Sequence, residues 1–320
     1  MPSLTSLLQF RVNRHRRLLW TISGLALLLS VVGLAASWLS PAIGSPLRPG
    51  LDFTGGTQIE LIRRCEPTCA PLTVSQLEEA VRGVTLPADD RGGAAPDLRG
   101  VAVQLLEEGR QVTLRLPTLN AAQGQALVDQ LRPGVGDLVS GGLSVETIGP
   151  SLGDQLLRSS LVSLLVSFVG IARYITFRYD RIYAALALLC LAHDVLITCG
   201  AFAWLGLLAG VEVNSLFAVA LLTIAGYSVN DTVVIFDRIR EKRQALQGQP
   251  LSDQADVAVQ ATLTRSLYTS FTTLLPLIAL ILFGGSTLFW FAVALSIGVV
   301  VGSWSSISVA PTLLPLLYRR

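Results

Sequence analysis

Three ionisable residues stand inside stretches that are otherwise apolar: Asp194, Asp231 and Arg265. Placing such a side chain at the centre of a membrane helix costs roughly 2.5–3.5 kcal/mol even on lenient scales, so each asks for a use. Thr223, Tyr227 and Asp231 recur at i, i+4 and i+8 and share one helix face, with Asn230 beside them. A second polar stripe runs through Thr262, Arg265, Thr269, Thr272 and Thr273 to Pro276. Asp194 has His193 next to it and Thr198 one turn on. Tyr, Thr, Asn and Asp in a row can pass a proton, because every step needs a donor and an acceptor. An arginine that approaches or leaves a buried carboxyl changes its proton occupancy. The chemistry expected of Asp231, Arg265 and Asp194 is therefore proton relay, with Tyr227, Asn230, Thr223 and Thr269 as supporting polar groups. The plainer alternative is an Asp231–Arg265 ion pair at a membrane boundary, with Arg265 reaching for the headgroups. His193 reads as a polar neighbour rather than a ligand, and Arg173 as an anchor at a span end.

The elements that must hold these groups are membrane spans. Of 320 residues, 51% are hydrophobic and only 14% charged, against about a quarter charged in ordinary soluble domains. A net charge of +2 carries no bulk nucleic-acid footprint. Spacing between charges marks the spans. Leu18–Leu39 is one, longer than a signal-peptide core of ~7–15 residues and lacking a cleavage pattern after it. Further blocks run from about Leu156 to Phe177, Ile182 to Leu208 and Asn214 to Phe236. Between Arg265 and Arg319 no charge appears for 53 positions, about 80 Å of helix against ~30 Å of hydrocarbon. That block must cross twice, turning at Gly284–Thr287, which makes six spans in all.

Arginine placement gives the orientation. Arg11, Arg14, Arg16 and Arg17 precede the first span, so residues 1–17 are expected in the cytoplasm. Alternation then puts Arg178 and Arg181, the segment 237–264 and Arg319–Arg320 on the same side. Residues 156–320 thus hold spans two to six, with 237–264 as a cytoplasmic loop lying at the headgroup level. Segment 42–154, with nine Arg and fourteen Asp or Glu, falls outside. Its pattern reads strand (Leu51–Ile62), helix (Thr73–Val84), turn-rich stretch (Arg91–Gly100), a hairpin (Val101–Leu106 and Gln111–Leu116 around Glu107–Arg110), helix (Asn120–Leu131) and strand (Leu138–Ile148). β-α-β-β-α-β is the order of a ferredoxin-like α+β domain. Cys65 and Cys69, on the oxidising side, either close a small disulfide loop or stay free. No His and no second Cys pair accompany them, so a zinc site is not expected. Cys190 and Cys199, nine residues apart, face opposite sides of one helix and read as packing residues. No phosphate-binding loop, nucleophile elbow or metal-ligand cluster is present, so neither an enzyme nor a cofactor is expected.

Five motifs in order resemble one family. Gly50-Leu-Asp-Phe-Thr-Gly-Gly-Thr57 follows the first span, Leu191-Ala-His-Asp-Val195 lies in the third, and Ala225–Glu241, containing Gly-Tyr-Ser-Val-Asn-Asp-Thr, in the fourth. Thr264–Pro276 and Gly302–Ala310 complete the pattern. Together they are similar to the SecF family, the smaller subunits of the SecD–SecF accessory complex of bacterial protein export. The resemblance implies half of an RND-type transporter in the bacterial inner (plasma) membrane, with both termini cytoplasmic. It implies work with SecD beside the SecYEG channel, with YajC/YidC-type proteins, the translocating preprotein and membrane lipid as further partners. It also implies use of the proton motive force, and places the family's functional Asp and Arg at Asp231 and Arg265. Trp304 stands where Tyr is usual, Pro311 and Pro315 come late in the last span, and the Cys pair departs from the pattern. Two other classes fit the residues: a passive scaffold or insertion factor, and a small-molecule RND efflux transporter, which needs far larger exported domains.

Charge asymmetry makes the topology testable in intact cells. A membrane-impermeant thiol reagent is expected to reach Cys65 or Cys69, after reduction if they are bridged. A cysteine placed at Gln247 is expected to stay unlabelled in the same cells. The opposite labelling pattern inverts every span.

Overall fold

The computed structural model describes residues 11–65, 69, 71–88, 95–98, 101–106 and 109–318. Arg319–Arg320, most of the 91–100 stretch, Glu107 at the hairpin tip and the first ten residues lie outside that set. Two compact units emerge, one of residues 1–48 and 160–320, the other of residues 49–159.

The smaller unit opens with one helical turn, Leu51–Thr54, where the sequence suggested strand. Leu-Asp-Phe-Thr alternates apolar and polar, a pattern that a single helical turn meets as well as a strand does. Gly55 (φ 66°) and Gly56 (φ 119°) then turn the chain into β1, Gly56–Arg63. A side chain on Gly56 would sit against the Leu116 carbonyl and one on Gly55 against Pro150, so both positions need glycine. After β1 come α2 (Val74–Arg82), β2 (Ala102–Leu106), β3 (Gln111–Leu116), α3 (Ala121–Val135) and β4 (Leu138–Ile148), the first span, Arg16–Leu39, being α1. All strand pairs are antiparallel, in the spatial order β2-β3-β1-β4, as the ferredoxin-like arrangement requires. Thr73 and Gln76 form a reciprocal capping box on α2, and Asn120 and Gln123 form one on α3. Ile59, Leu61, Val112 and Leu114 of the sheet meet Leu77, Val81, Leu127 and Leu131 of the helices in one core. Arg63 is buried at its edge, donating from Nε to the Val135 carbonyl (2.8 Å). Cys65 and Cys69 are joined by a disulfide, their Cα atoms 4.5 Å apart.

The larger unit is helical. It comprises α1 (Arg16–Leu39), the far part of α4 (Pro150–Arg178), α5 (Arg181–Ala209), α6 (Ser215–Ala245), α7 (Leu251–Phe283), α8 (Gly285–Trp304), a π-helical segment Ser305–Val309, and α9 (Ala310–Leu317). Six of the resulting rods are long and apolar enough to cross a membrane, the last being α8 to α9 taken together. The chain is a multi-pass membrane protein. Residues 237–264, expected as a separate segment at the headgroup level, are instead the ends of α6 and α7 around a short turn. The charges there lie on continuous helix on either side of that turn. Before α1, Asn13 ties itself to the start of α7 through its backbone N–H (2.9 Å) and Nδ2 (2.8 Å), both donating to Asp256 Oδ1.

Small residues set the closest helix contacts, as they must where packing rather than water exclusion holds helices together. Gly200 of α5 lies against the backbone and side chain of Ser30 in α1, and Gly33 lies under the indole of Trp204. Trp204 Nε1 donates to the Leu29 carbonyl at 2.9 Å. Gly298 and Gly302 of α8 likewise admit Ile224 and Ser228 of α6. Gly200→Ala would drive a methyl into Ser30, and overpacking of this kind costs about 1–3 kcal/mol. We expect that variant to unfold earlier in an SDS titration, whereas Gly24→Ala, which meets nothing within 4 Å, should match the parent.

Candidate functional site

Gly302 lets α8 approach α6 closely, and the π segment begins three residues on. Pro311 explains the segment's position. It has no N–H to close the α-helical bond to the Ile307 carbonyl, and its ring would press on that carbonyl. The helix widens instead, with the Ala310 N–H reaching back five residues to the Ser305 carbonyl. The widened turn aims two consecutive side chains, Ser305 and Ser306, at two different helices.

Ser305 Oγ donates to Asp194 Oδ2 on α5 at 2.8 Å. Ser306 Oγ donates to Asp231 Oδ2 on α6 at 2.5 Å. Each carboxylate has a second serine: Ser228 Oγ to Asp194 Oδ2 at 2.6 Å, and Ser266 Oγ to Asp231 Oδ1 at 2.9 Å. His193 Nδ1 lies 2.8 Å from Asp194 Oδ1, while its Nε2 is buried without a hydrogen-bond partner among the described residues. Asp194 is wholly buried, and Asp231 is 6% exposed. Tyr227 OH donates to Ser270 Oγ (3.0 Å), which in turn meets Ser303 Oγ at 2.5 Å. Five elements thus converge on two carboxyls one helix apart.

Of the residues expected from sequence, Asp194, Asp231 and Tyr227 belong to this cluster, and His193 is bonded into it. Arg265 does not reach it. Its side chain is exposed on α7 and makes no ion pair among the described residues, whereas the next residue, Ser266, points inward to Asp231. Thr223 and Asn230 are exposed on α6. Thr223 donates to its own helix at the Val219 carbonyl, as Thr269 does at the Arg265 carbonyl. The polar stripes therefore split into an inward part and an outward part. Sequence reading missed Ser228, Ser266, Ser270, Ser303, Ser305 and Ser306. The available signal was the run of serines just before Pro311.

Hydroxyls suit this task, since each both donates and accepts. A carboxylate takes their protons in hydrogen bonds. Once protonated, it donates one back, so the oxygens stay hydrogen-bonded in both protonation states. Among the described residues no group of His, Cys, Asp and Glu is placed to hold a metal ion.

The family model of the C-terminal part of the SecD/SecF protein export membrane proteins matches residues 138–320, and that of the SecD/SecF GG motif matches residues 43–61. The first range holds the whole carboxylate cluster and the second holds Gly55 and Gly56. Protein translocase subunit SecF of Prochlorococcus marinus is 52% identical over 96% of this chain and 95% of its own length. That of Synechocystis is 42% identical over 92% of this chain and 90% of its own. The crystal structure of SecDF, a translocon-associated membrane protein from Thermus, has a TM-score of 0.78 at 31% identity. The match spans 97% of this chain and 39% of that longer one.

Ser228→Ala removes one of the donors on Asp194. Leaving a buried acceptor short of a partner costs about 1–3 kcal/mol. We expect a loss of that size in a reversible SDS unfolding titration. Ser296→Ala, whose hydroxyl serves only its own helix at the Ala292 carbonyl, should lose less than about 0.5 kcal/mol.

Proposed function

Since the chain belongs to the SecD/SecF family of protein-export membrane proteins as a SecF-like subunit, we propose that it works with a SecD partner beside the SecYEG channel. In this reading it uses the proton motive force to help draw preproteins across the bacterial inner membrane. Both termini lie in the cytoplasm and the ferredoxin-like domain lies outside. One observation carries the reading: two carboxyls buried within the spans are held by neutral hydroxyls and one histidine, with no cation paired to Asp231 among the described residues. A purely structural carboxylate would be expected to sit against an arginine, and Arg265 is turned away. One proton crossing the membrane releases ~2.3 kcal/mol per 100 mV, enough to bias a conformational equilibrium well over tenfold.

The outward part of the polar stripes supports the partnership. Arg265 and Asn230 are exposed at positions within the spans, where lipid would leave them unsatisfied. A SecD surface packed against α6 and α7 would give them partners. Arg265 then acts at that junction, approaching or leaving Asp231 as the two halves move.

Asp231→Asn keeps the shape and fixes the site as neutral. In vesicles that hold the complex with SecD, it is expected to abolish the gradient-dependent part of preprotein translocation while leaving protein level and SecD binding near normal. Arg265→Lys keeps the charge, loses the planar fork and should be partly active. If Asp231→Asn instead lowers assembly and translocation falls only in proportion, Asp231 is a structural residue and the relay reading is wrong.

A further inference from the structure

Ser305 and Ser306 are adjacent in the chain, yet each serves a different carboxyl. A hydroxyl has one proton to give, and each of these two has a second acceptor within reach. Ser305 Oγ lies 3.1 Å from the Gly302 carbonyl, and Ser306 Oγ lies 3.1 Å from the Ser303 carbonyl. While Asp194 is ionised, Ser305 donates to it. When Asp194 takes up a proton, its own O–H becomes the donor, and Ser305 accepts from it while turning its hydrogen to Gly302. The same exchange is open to Asp231, Ser306 and Ser303. No bond is lost in either exchange, but donor and acceptor swap ends.

We infer that the π segment links the two carboxyls, so that the protonation state of Asp194 sets the proton affinity of Asp231 and the reverse, with Ser305 and Ser306 as the positioning residues. This rests on the reading of Asp194 and Asp231 as proton-carrying groups. The two serines share a peptide unit in a turn held by a five-residue backbone bond, so a shift of one peptide carries the other. Both hydroxyls are fully buried, and so is Ser228 across from them. The other groups facing the pair are few. α5 supplies His193 and, one turn away, the Cys190 thiol, 4.0 Å from the Ser305 carbonyl. α6 supplies Tyr227 and Ser228, α7 supplies Ser266 and Ser270, and α8 supplies Ser303. From α1, Ser23 accepts from Trp304 Nε1 at 2.9 Å, at the residue where α8 gives way to the π segment. Among the described residues no ion pair joins the two carboxyls, and the serine pair is where consecutive residues bond to both of them.

The test is an infrared pH titration of the full chain with its SecD partner in lipid nanodiscs. The Asp231 signal is the protonated-carboxyl C=O band that disappears in Asp231→Asn. In the parent, Asp194→Asn is expected to move the midpoint of that band by about one pH unit, the size that marks interacting sites. In a Ser305→Ala/Ser306→Ala background the same substitution should move it by less than about 0.3 unit, as for independent sites. Ser305→Thr/Ser306→Thr keeps both hydroxyls and should restore the shift. If the double alanine variant does not assemble, Ser306→Ala alone cuts the link on the Asp231 side and is expected to give the same result. An undiminished shift without the serine hydroxyls overturns the inference in favour of direct interaction through space, and so does a threonine pair that behaves like alanine. An Asp231 band that does not titrate between about pH 4 and pH 9 is a separate outcome. It fails the proton reading itself and takes the link with it.

Discussion

A carboxyl cannot stand in hydrocarbon without hydrogen-bond partners, and two of them stand in this bundle. Much of the helical unit follows from that constraint. Asp194 and Asp231 lie on neighbouring helices, so their partners must come from elements that reach both. A regular helix separates consecutive side chains by about 100° and keeps one face for one neighbour. The π segment carries both serines and serves both carboxyls from one place. Gly302 allows the approach, because a methyl there would meet both Ser228 and an Asp194 oxygen.

The choice of serine has its own consequence. An arginine partner would hold a carboxylate more firmly and also hold it ionised. Serine leaves both protonation states hydrogen-bonded, because a hydroxyl can donate or accept. Arg265 stands next in sequence to a serine that makes the contact, so rotating α7 by one residue would exchange the two. A helix that carries a neutral donor and a cation at adjacent positions can offer either one to the same acceptor.

Much of this was legible in the sequence. The spacing between charges marked all six spans, and the turn at Gly284 could be placed because 53 uncharged residues exceed one crossing. The order of elements in the smaller unit followed from alternation and from the Thr73–Gln76 capping pair. The outward and inward halves of the polar stripes were not legible. Spacing of four assigns residues to a face but cannot say which neighbour that face meets, and so Thr223 fell in with Tyr227 and Asp231. The serines at 303, 305, 306 and 308 fit no single helical period, because the backbone period itself changes there. Residues 237–264 were assigned by charge, although helices can continue well past the membrane boundary.

The bond between Asn13 and Asp256 joins residues 243 positions apart. The first span leaves the ribosome early, but the acceptor that ties its N-terminal end is made only when the fifth is under way. At about 5–20 residues per second, that interval is on the order of tens of seconds. Until the third span supplies the glycine-lined contact with α5, α1 has only its own apolar surface to hold it in the bilayer. The order of synthesis thus leaves the N-terminal helix waiting for its packing partners until much of the bundle has been made.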